Sequence, residues 1–151
     1  MRVAVGADHA GFALRAAVLN ELRAHGAEAV DCGTQEPGPC DYPDFAAKVA
    51  AKVAAGEADR GVLICGTGQG MCMTANRFPG VRAALVHDEF TARITRQHND
   101  ANVICLGGRV LAEPEALRLL GLWLETPFEG DRHLRRVRKI VSVGPCGRKE
   151  G

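Results

Sequence analysis

The sequence predicts an α/β protein, a single doubly wound Rossmann-like domain whose five-stranded parallel sheet has helices on both faces. Short apolar runs of strand length alternate with helical patterns from the first residue onward, as expected where parallel strands are joined by crossover helices. The 151 residues, 46% of them hydrophobic and 25% charged, suffice for one domain with a core. No repeat, low-complexity segment or linker divides the chain. We therefore predict one domain over residues 1–151.

Strands are predicted from unbroken apolar runs, and helices from apolar residues that recur every three or four positions. The predicted strands cover residues 2–6, 29–32, 61–65, 81–86 and 103–106. The predicted helices cover residues 11–24, 43–55, 70–75, 89–97, 114–124 and about 131–143, the last of them basic, with a flexible tail expected at 144–151. Local signals support these bounds, because Gly26 suits the end of a helix, Pro43 the first turn of one, and Asp88 a helix N-cap.

The predicted strand order is 2-1-3-4-5, the flavodoxin-like arrangement. In that order the binding crevice opens at the carboxyl ends of strands 1 and 3, where the connections diverge. Functional groups should therefore follow these two strands. Asp8 and His9 follow strand 1, and Cys65 with the glycine loop 66–70 follows strand 3.

The composition argues against several classes of protein. The formal net charge is +1, so the chain as a whole offers no field for nucleic acid or a membrane surface. No secretory signal is visible, and no apolar stretch approaches the ~18 residues that a membrane span needs. The six cysteines include no C-x-x-C pair, which favours reduced cytosolic thiols over disulfides or a zinc site. We expect a cytoplasmic protein with no metal or other cofactor, and with no nucleic-acid or membrane partner.

Cys65 is the candidate base for a proton transfer. It ends a buried strand directly before a helix-opening turn, where a thiol would feel the helix dipole and ionise more readily. Gly66, Gly68 and Gly70 let backbone N–H groups converge on an anion, while the loop lacks both the Gly-Lys-Ser/Thr of a P-loop and the G-x-G-x-x-G dinucleotide pattern. A thiolate beside such donors can remove a carbon-bound proton while they hold the enediolate oxygen. The alternative is a small core cysteine before a tight turn.

Basic residues near the C-terminus offer a phosphate site. Arg132 and Arg136 share a helix face and could bind one phosphate together. Arg109, which follows the last strand, is a further candidate. His98 and Asn99 lie in a predicted turn before that strand, where such residues are more often structural than catalytic.

Five stretches of the chain, in this order, resemble the type B ribose-5-phosphate isomerases and the related galactose-6-phosphate isomerase subunits. They are Gly-Ala-Asp-His-Ala-Gly at 6–11, Asp-Tyr-Pro at 41–43, Ile-Cys-Gly-Thr-Gly at 64–68, Arg-Gln-His-Asn-Asp-Ala-Asn at 96–102 and Arg-His-x-x-Arg at 132–136. The resemblance implies metal-independent interconversion of ribose 5-phosphate and ribulose 5-phosphate through a cis-enediolate. It also implies a homodimer, or a dimer of dimers, whose C-terminal helices reach the partner and whose sites draw residues from both subunits.

The resemblance further implies a role for each candidate residue. Cys65 would move the proton between C1 and C2, and His98 would assist opening of the furanose ring. The backbone amides of the 66–70 loop would stabilise the enediolate, while Thr67 and Asp8 would bind sugar hydroxyls or the ring oxygen. The remaining residues would line the sugar pocket, namely Tyr42 and Asn99, or hold the phosphate, namely His9, Arg109, Arg132 and Arg136.

Three other functions remain open. The same chemistry on a six-carbon sugar phosphate, such as allose or galactose 6-phosphate, would differ only in pocket size. A sugar-phosphate or nucleotide sensor without catalysis would have no need for a thiol base at Cys65. A response-regulator-like domain would need an acidic pair after strand 1 and a lysine after strand 5, where this chain has Asp8-His9 and Arg109.

Overall fold

The computed structural model describes residues 1–143, so the tail expected at 144–151 lies outside the described residues. The strands are β1 (Arg2–Ala7), β2 (Glu28–Asp31), β3 (Arg60–Cys65), β4 (Ala83–Leu85) and β5 (Val103–Gly107). The helices are α1 (Phe12–Ala24), α2 (Tyr42–Ala54), α3 (Gln69–Ala75), α4 (Glu89–Gln97), α5 (Glu113–Glu125) and α6 (Asp131–Ser142). Every predicted element is present. The bounds agree closely except at β4, which is shorter than the predicted 81–86.

The strands form one parallel sheet in the order β2-β1-β3-β5-β4. The predicted five-stranded parallel α/β architecture is therefore confirmed. The predicted order 2-1-3-4-5 is wrong at its end, because β5 pairs with β3 and β4 lies at the edge of the sheet.

Burial explains why β5 occupies the central position. All five residues of β5, Val-Ile-Cys-Leu-Gly, are buried, whereas the three residues of β4 are only partly buried. A central strand of a parallel sheet is covered by helices on both faces and so needs a continuous apolar run. The longer apolar run therefore takes the centre, and the connection through α3 and β4 goes to the edge before the chain returns.

Helices cover both faces of the sheet and define two halves of the core. On one face α1, α4 and α5 pack against the sheet around side chains such as Ile64, Ile104 and Trp123, all of which are fully buried. On the other face α2 and α3 pack against the sheet, with Val49 and Met71 fully buried. Within residues 1–143, no helix has both the length and the apolar content for a bilayer span.

Helix ends follow the local chemistry of the sequence. Asp88 caps α4 as predicted, because its side chain accepts a hydrogen bond from the Thr91 amide at 2.7 Å in a reciprocal capping box. Gly26, at the end of α1, has φ +73°, a conformation that glycine adopts at low cost. Local interactions of these two residues thus mark where α1 ends and where α4 begins.

The strand order has a measurable consequence for stability. Ile104→Ala, in the interior strand β5, should lower the free energy of unfolding by about 3 kcal/mol, because the cavity would be fully enclosed. Leu85→Ala, in the edge strand, should cost about 1 kcal/mol, because part of that side chain already contacts solvent. Urea unfolding at a fixed protein concentration measures both values. A larger loss for Leu85→Ala than for Ile104→Ala would favour the order with β4 inside the sheet.

Candidate active site

Cys65 is the last residue of β3 and is only 5% exposed. It pairs with Gly107 at the end of β5, and its carbonyl accepts a hydrogen bond from the Gly108 amide at 2.8 Å. The Gly68 amide donates to the Cys65 sulfur at 3.1 Å. An N–H donor stabilises a thiolate more than a thiol, because it faces a full negative charge. The predicted base therefore has a backbone partner suited to its reactive form.

The loop after Cys65 requires glycine at two places. Gly68 has φ +79°, and a Cβ at this position would lie 2.7 Å from Leu85 Cδ1. A Cβ on Gly107 would lie 2.9 Å from the backbone of Thr67. Two stretches of backbone therefore approach each other closely, and the chain turns at Gly68 so that its amide points back to the sulfur. The tight-turn interpretation and the anion-binding interpretation of this loop are thus compatible.

Asp8 lies beside the end of β3, although it follows β1. Its backbone amide donates to the Ile64 carbonyl at 3.2 Å. Its carboxylate accepts hydrogen bonds from the amides of Ala10 at 2.9 Å and Gly11 at 3.0 Å. Asp8 is 4% exposed. The carboxylate therefore organises the entry into α1 and is held in place at the same edge of the sheet as Cys65.

Three more of the predicted residues lie at this carboxyl edge. His9 accepts a hydrogen bond at Nδ1 from the Cys40 amide at 3.2 Å. The ring of Tyr42 packs so closely on Gly70 that a Cβ there would lie 2.5 Å from it. Arg109 follows β5, and its side chain passes over the glycine loop. The carboxyl edge thus brings together these predicted site residues: Asp8, His9, Tyr42, Cys65, Gly66, Thr67, Gly68, Gly70 and Arg109.

His98 lies at the opposite end of the strands, at the amino edge of the sheet. It ends α4, shortly before β5 begins. The Gly61 amide donates to the Asn102 carbonyl at 2.9 Å, so this turn adjoins the first residues of β3. Cys65 follows Gly61 at the far end of that strand, about 13 Å away at the usual rise of about 3.3 Å per residue. Within one chain, Cys65 and His98 are therefore not in the same crevice.

Helix α6 belongs to the same edge as His98. The Glu129 amide donates to the Gln97 carbonyl at 3.1 Å, which ties the start of α6 to the end of α4. Arg132 and Arg136 are exposed and one turn apart on α6. One chain thus divides the predicted site between two edges, with His98, Asn99, Arg132 and Arg136 on the edge that lacks Cys65.

Asp100 fixes the turn that follows His98. Its backbone has φ +46°. Its carboxylate accepts hydrogen bonds from Arg96 at 2.8 Å and from Arg82 at 3.1 Å. Arg96 is 6% exposed and also donates to the Ala101 carbonyl at 2.7 Å. This network gives the turn a defined conformation, which fits the structural reading of Asn99-Asp100.

His98 stacks on His133, with ring centroids 3.9 Å apart and planes inclined by 16°. Glu129 Oε2 lies 3.8 Å from His98 Nε2 and 3.5 Å from His133 Nε2. Burial, followed by the neighbouring His98 and Arg132, lowers the pKa of His133. Sequence reasoning missed Glu129. Its i,i+4 spacing to His133 was visible, but its contact with His98 arises only from tertiary packing.

The same three side chains place potential ligand atoms within 4.8 Å of one another. Imidazole and carboxylate are common zinc ligands. Each imidazole lone pair lies in its ring plane, however, so two nearly parallel rings cannot direct their lone pairs at a common point. One ring would have to leave the stack before both could bind one ion. The arrangement of His98, Glu129 and His133 therefore fits the sharing of protons better than a preformed metal site.

Two further thiols lie close to the candidate base. Burial raises the pKa of Cys105, in the middle of β5. A hydrogen bond with Cys105 lowers the pKa of Cys72, on α3, to about 7. Cys72 is therefore a second thiol with a lowered pKa, on the helix that follows the glycine loop.

Comparison with known proteins identifies close relatives over nearly the whole chain. A family model described as Ribose/Galactose Isomerase matches residues 3–140. The chain is 42% identical over 142 residues to ribose-5-phosphate isomerase B of Escherichia coli, covering 94% of this chain and 95% of the relative. It is 45% identical over 144 residues to the putative sugar phosphate isomerase YwlF of Bacillus subtilis, covering 93% of this chain and 95% of the relative.

Solved structures show the same similarity. Ribose-5-phosphate isomerase B of Clostridium thermocellum superposes with a TM-score of 0.91 at 45% identity, covering 93% of this chain and 95% of that one. Ribose-5-phosphate isomerase B of Mycoplasma genitalium, solved with bound ribulose-5-phosphate, superposes with a TM-score of 0.90 at 42% identity and covers 93% of each chain.

The contact between the glycine loop and the thiol can be tested by alkylation. Gly68→Ala should slow the reaction of Cys65 with iodoacetamide at neutral pH by about tenfold, the effect of losing one hydrogen bond to a charged group. The added Cβ would clash with Leu85 and displace the amide. Mass spectrometry of the cysteine peptides separates Cys65 from Cys72.

Gly80→Ala is the matched control, because Gly80 has φ +78° and nothing within 4 Å of an added Cβ. It should carry a similar backbone cost and leave the alkylation of Cys65 unchanged. An equal rate for Cys65 in both variants and the parent protein would mean that the Gly68 amide does not control the thiol.

Proposed function

Since the chain belongs to the ribose/galactose isomerase family, we propose that it interconverts ribose 5-phosphate and ribulose 5-phosphate without a metal ion. The observation that carries the proposal is the position of Cys65, a buried thiol at a strand end with a backbone N–H on its sulfur. The relatives named ribose-5-phosphate isomerase B support this choice of substrate. The free thiols of Cys32, Cys40, Cys65, Cys72 and Cys105 support a reducing compartment, the cytoplasm.

The reaction requires a base beside an oxyanion site. In the open aldose, the Cys65 thiolate removes the proton from C2. The electron pair of that C–H bond forms the C1=C2 double bond, and the π pair of the C1 carbonyl moves onto the C1 oxygen to give the cis-enediolate. Backbone amides of the 66–70 loop stabilise the developing charge. A proton then passes from the C2 hydroxyl to the C1 oxygen, the thiol returns its own proton to C1, and C2 becomes the carbonyl carbon. Asp8 and Thr67 bind the sugar oxygens at the same edge, and Tyr42 lines the pocket.

The ring must open before this proton transfer can begin. Ribose 5-phosphate rests mainly as a furanose, so a proton has to reach the ring oxygen and another has to leave the C1 hydroxyl. We assign this step to His98, with Asn99 beside the sugar. An imidazole suits the task because it exchanges protons near neutral pH.

A second copy of the chain completes the site in this proposal. His98, Asn99, Arg132 and Arg136 lie at one sheet edge and Cys65 at the other, so a homodimer, or a dimer of dimers, has to bring one subunit's α6 to the other's crevice. Exposed apolar side chains support an interface near the carboxyl edge: Met73, Phe90 and Val110 are 68%, 70% and 58% exposed. The partner's arginines would then bind the phosphate with His9 and Arg109, and this remote binding energy would orient the sugar.

Isomerisation of allose or galactose 6-phosphate is the alternative within the same chemistry. It uses the same base and the same phosphate-binding residues, and it needs only a longer pocket. The family description, which includes galactose isomerases, favours keeping this alternative. Turnover of ribose 5-phosphate beside a panel of aldohexose 6-phosphates decides between the two. A non-catalytic sugar-phosphate binder would turn over none of them.

Cys65→Ala should lower ribose 5-phosphate isomerisation by at least about 1,000-fold, because no other group would be placed to remove the C2 proton. Binding of the sugar phosphate, measured by calorimetry, should stay within about threefold, since the thiol moves a proton and does not hold the phosphate. Both assays are run with EDTA, so activity of the parent protein under chelation tests metal independence as well.

Cys32→Ala is the matched control, because Cys32 is a free, partly buried thiol that follows β2, two strands away from Cys65 in the sheet. Its activity should equal that of the parent protein. Full activity of Cys65→Ala would contradict the assignment of the base.

The shared site predicts complementation between two inactive variants. A heterodimer of Cys65→Ala and His98→Ala subunits would contain one site with both groups intact and one with neither. Activity should therefore appear when differently tagged variants are co-expressed and the heterodimer is isolated. If each site used Cys65 and His98 of one chain, both sites would be damaged and the heterodimer would stay inactive.

A further inference from the structure

The His98 ring contacts two side chains that take no part in the proposed proton transfers, His133 and Glu129. His133 stacks on it at 3.9 Å, and Glu129 places one carboxylate oxygen between the two Nε2 atoms, at 3.8 and 3.5 Å. His98 is about one-third exposed on its side chain, whereas that of His133 is 6% exposed. The outer ring therefore rests on an inner ring that the protein core immobilises.

The inner ring has its own unusual environment. His133 Nε2 is buried and, within residues 1–143, has no hydrogen-bond partner. A buried polar atom without a partner costs free energy. A proton arrangement that directs the His133 Nε2–H at Glu129 therefore lowers the free energy of the cluster. The charged groups that act on His133 are Glu129 before α6 and Arg132 and Arg136 on α6 itself. Glu129 supplies the one negative charge among them.

Glu129 is itself fixed by the fold. Its amide donates to the Gln97 carbonyl, the residue before His98. It also lies two residues before α6 begins, and its carboxylate comes within 3.5 Å of His133 Nε2. Glu129 is thus anchored to the end of α4 and to the start of α6 at once. Its backbone is therefore held near both imidazoles, and its partly exposed carboxylate reaches both rings.

We propose that Glu129 and His133 are positioning residues for His98. The negative charge of Glu129, 3.8 Å from His98 Nε2, favours the form of the imidazole that carries a proton on that nitrogen. The buried His133 ring fixes the plane of the His98 ring by stacking. A histidine that transfers protons needs a defined ring orientation and protonation pattern, and a carboxylate partner is a common way to set both. The inference rests on the proposed role of His98 in ring opening, which it deepens by naming the groups that prepare the imidazole.

The test separates ring opening from the later proton transfer. Ribulose 5-phosphate cannot close a five-membered ring, because its C5 oxygen carries the phosphate. Exchange of its C1 proton with deuterated water, followed by NMR, therefore reports the Cys65 step alone. Isomerisation of ribose 5-phosphate reports ring opening as well. A third readout, the ¹⁵N chemical shifts of the His98 ring at a fixed pH, shows which nitrogen carries the proton.

Glu129→Gln should slow ribose 5-phosphate turnover by about tenfold or more, the usual effect of removing a group that orients a functional histidine. It should leave C1 exchange in ribulose 5-phosphate within about threefold. The ¹⁵N signals of His98 should shift. His133→Ala should show the same selective loss, whereas His133→Phe, which keeps a flat ring in the stack, should restore most of the turnover.

Glu125→Gln is the matched control, because Glu125 faces a different histidine, His25, at 3.4 Å. It should change none of the three readouts. Equal losses of isomerisation and exchange in Glu129→Gln would indicate general damage and overturn the inference, as would unchanged ¹⁵N signals.

His98→Ala distinguishes this inference from the proposed function. If it lowers isomerisation selectively while Glu129→Gln does not, the ring-opening role stands and the positioning role is wrong. If His98→Ala shows no selective loss, the ring-opening role is wrong and the positioning role fails with it. In that case a ¹⁵N shift in Glu129→Gln would still demonstrate the contact between Glu129 and His98.

Discussion

The site depends on the close approach of two backbones at the carboxyl edge of the sheet. β3 and β5 run in register up to Cys65 and Gly107, and no Cβ fits between Gly107 and the backbone of Thr67. This contact makes the chain turn at Gly68 and brings the Gly68 amide to the Cys65 sulfur. The donor is part of the backbone and is held by the sheet, so it needs no side-chain rearrangement when charge develops on the neighbouring atoms.

The position of β5 determines which residues border the crevice. Because β5 lies next to β3, the segment after it is hydrogen-bonded to the end of β3, with the Gly108 amide on the Cys65 carbonyl and the Arg109 amide on the Gly66 carbonyl. In the order 2-1-3-4-5, the residues after β4 would have taken this place. The difference in strand order therefore changes the composition of the site as well as the topology of the sheet.

At the amino ends of the strands, charged side chains determine the local structure. Buried Arg96 and the carboxylate of Asp100 hold the turn after α4, and Glu129 joins this turn to α6. The two imidazoles of His98 and His133 meet between these anchors. Such a cluster cannot act on Cys65 of its own chain, about 13 Å away along the strand direction. A reaction that needs both a thiol and an imidazole thus provides a chemical reason for a shared site.

The sequence by itself determined the strands and helices, the glycine loop and the place of Cys65 at a strand end. These features depend on patterns within a few residues, such as apolar runs, the Asp88 cap and glycines with positive φ. Only the tertiary structure decided that β5 is central, that His98 and Cys65 lie at opposite edges, and that Glu129 contacts His98. Strand order reflects a competition for burial between segments distant in the chain, and the charge cluster joins residues about 30 positions apart that local periodicity does not connect.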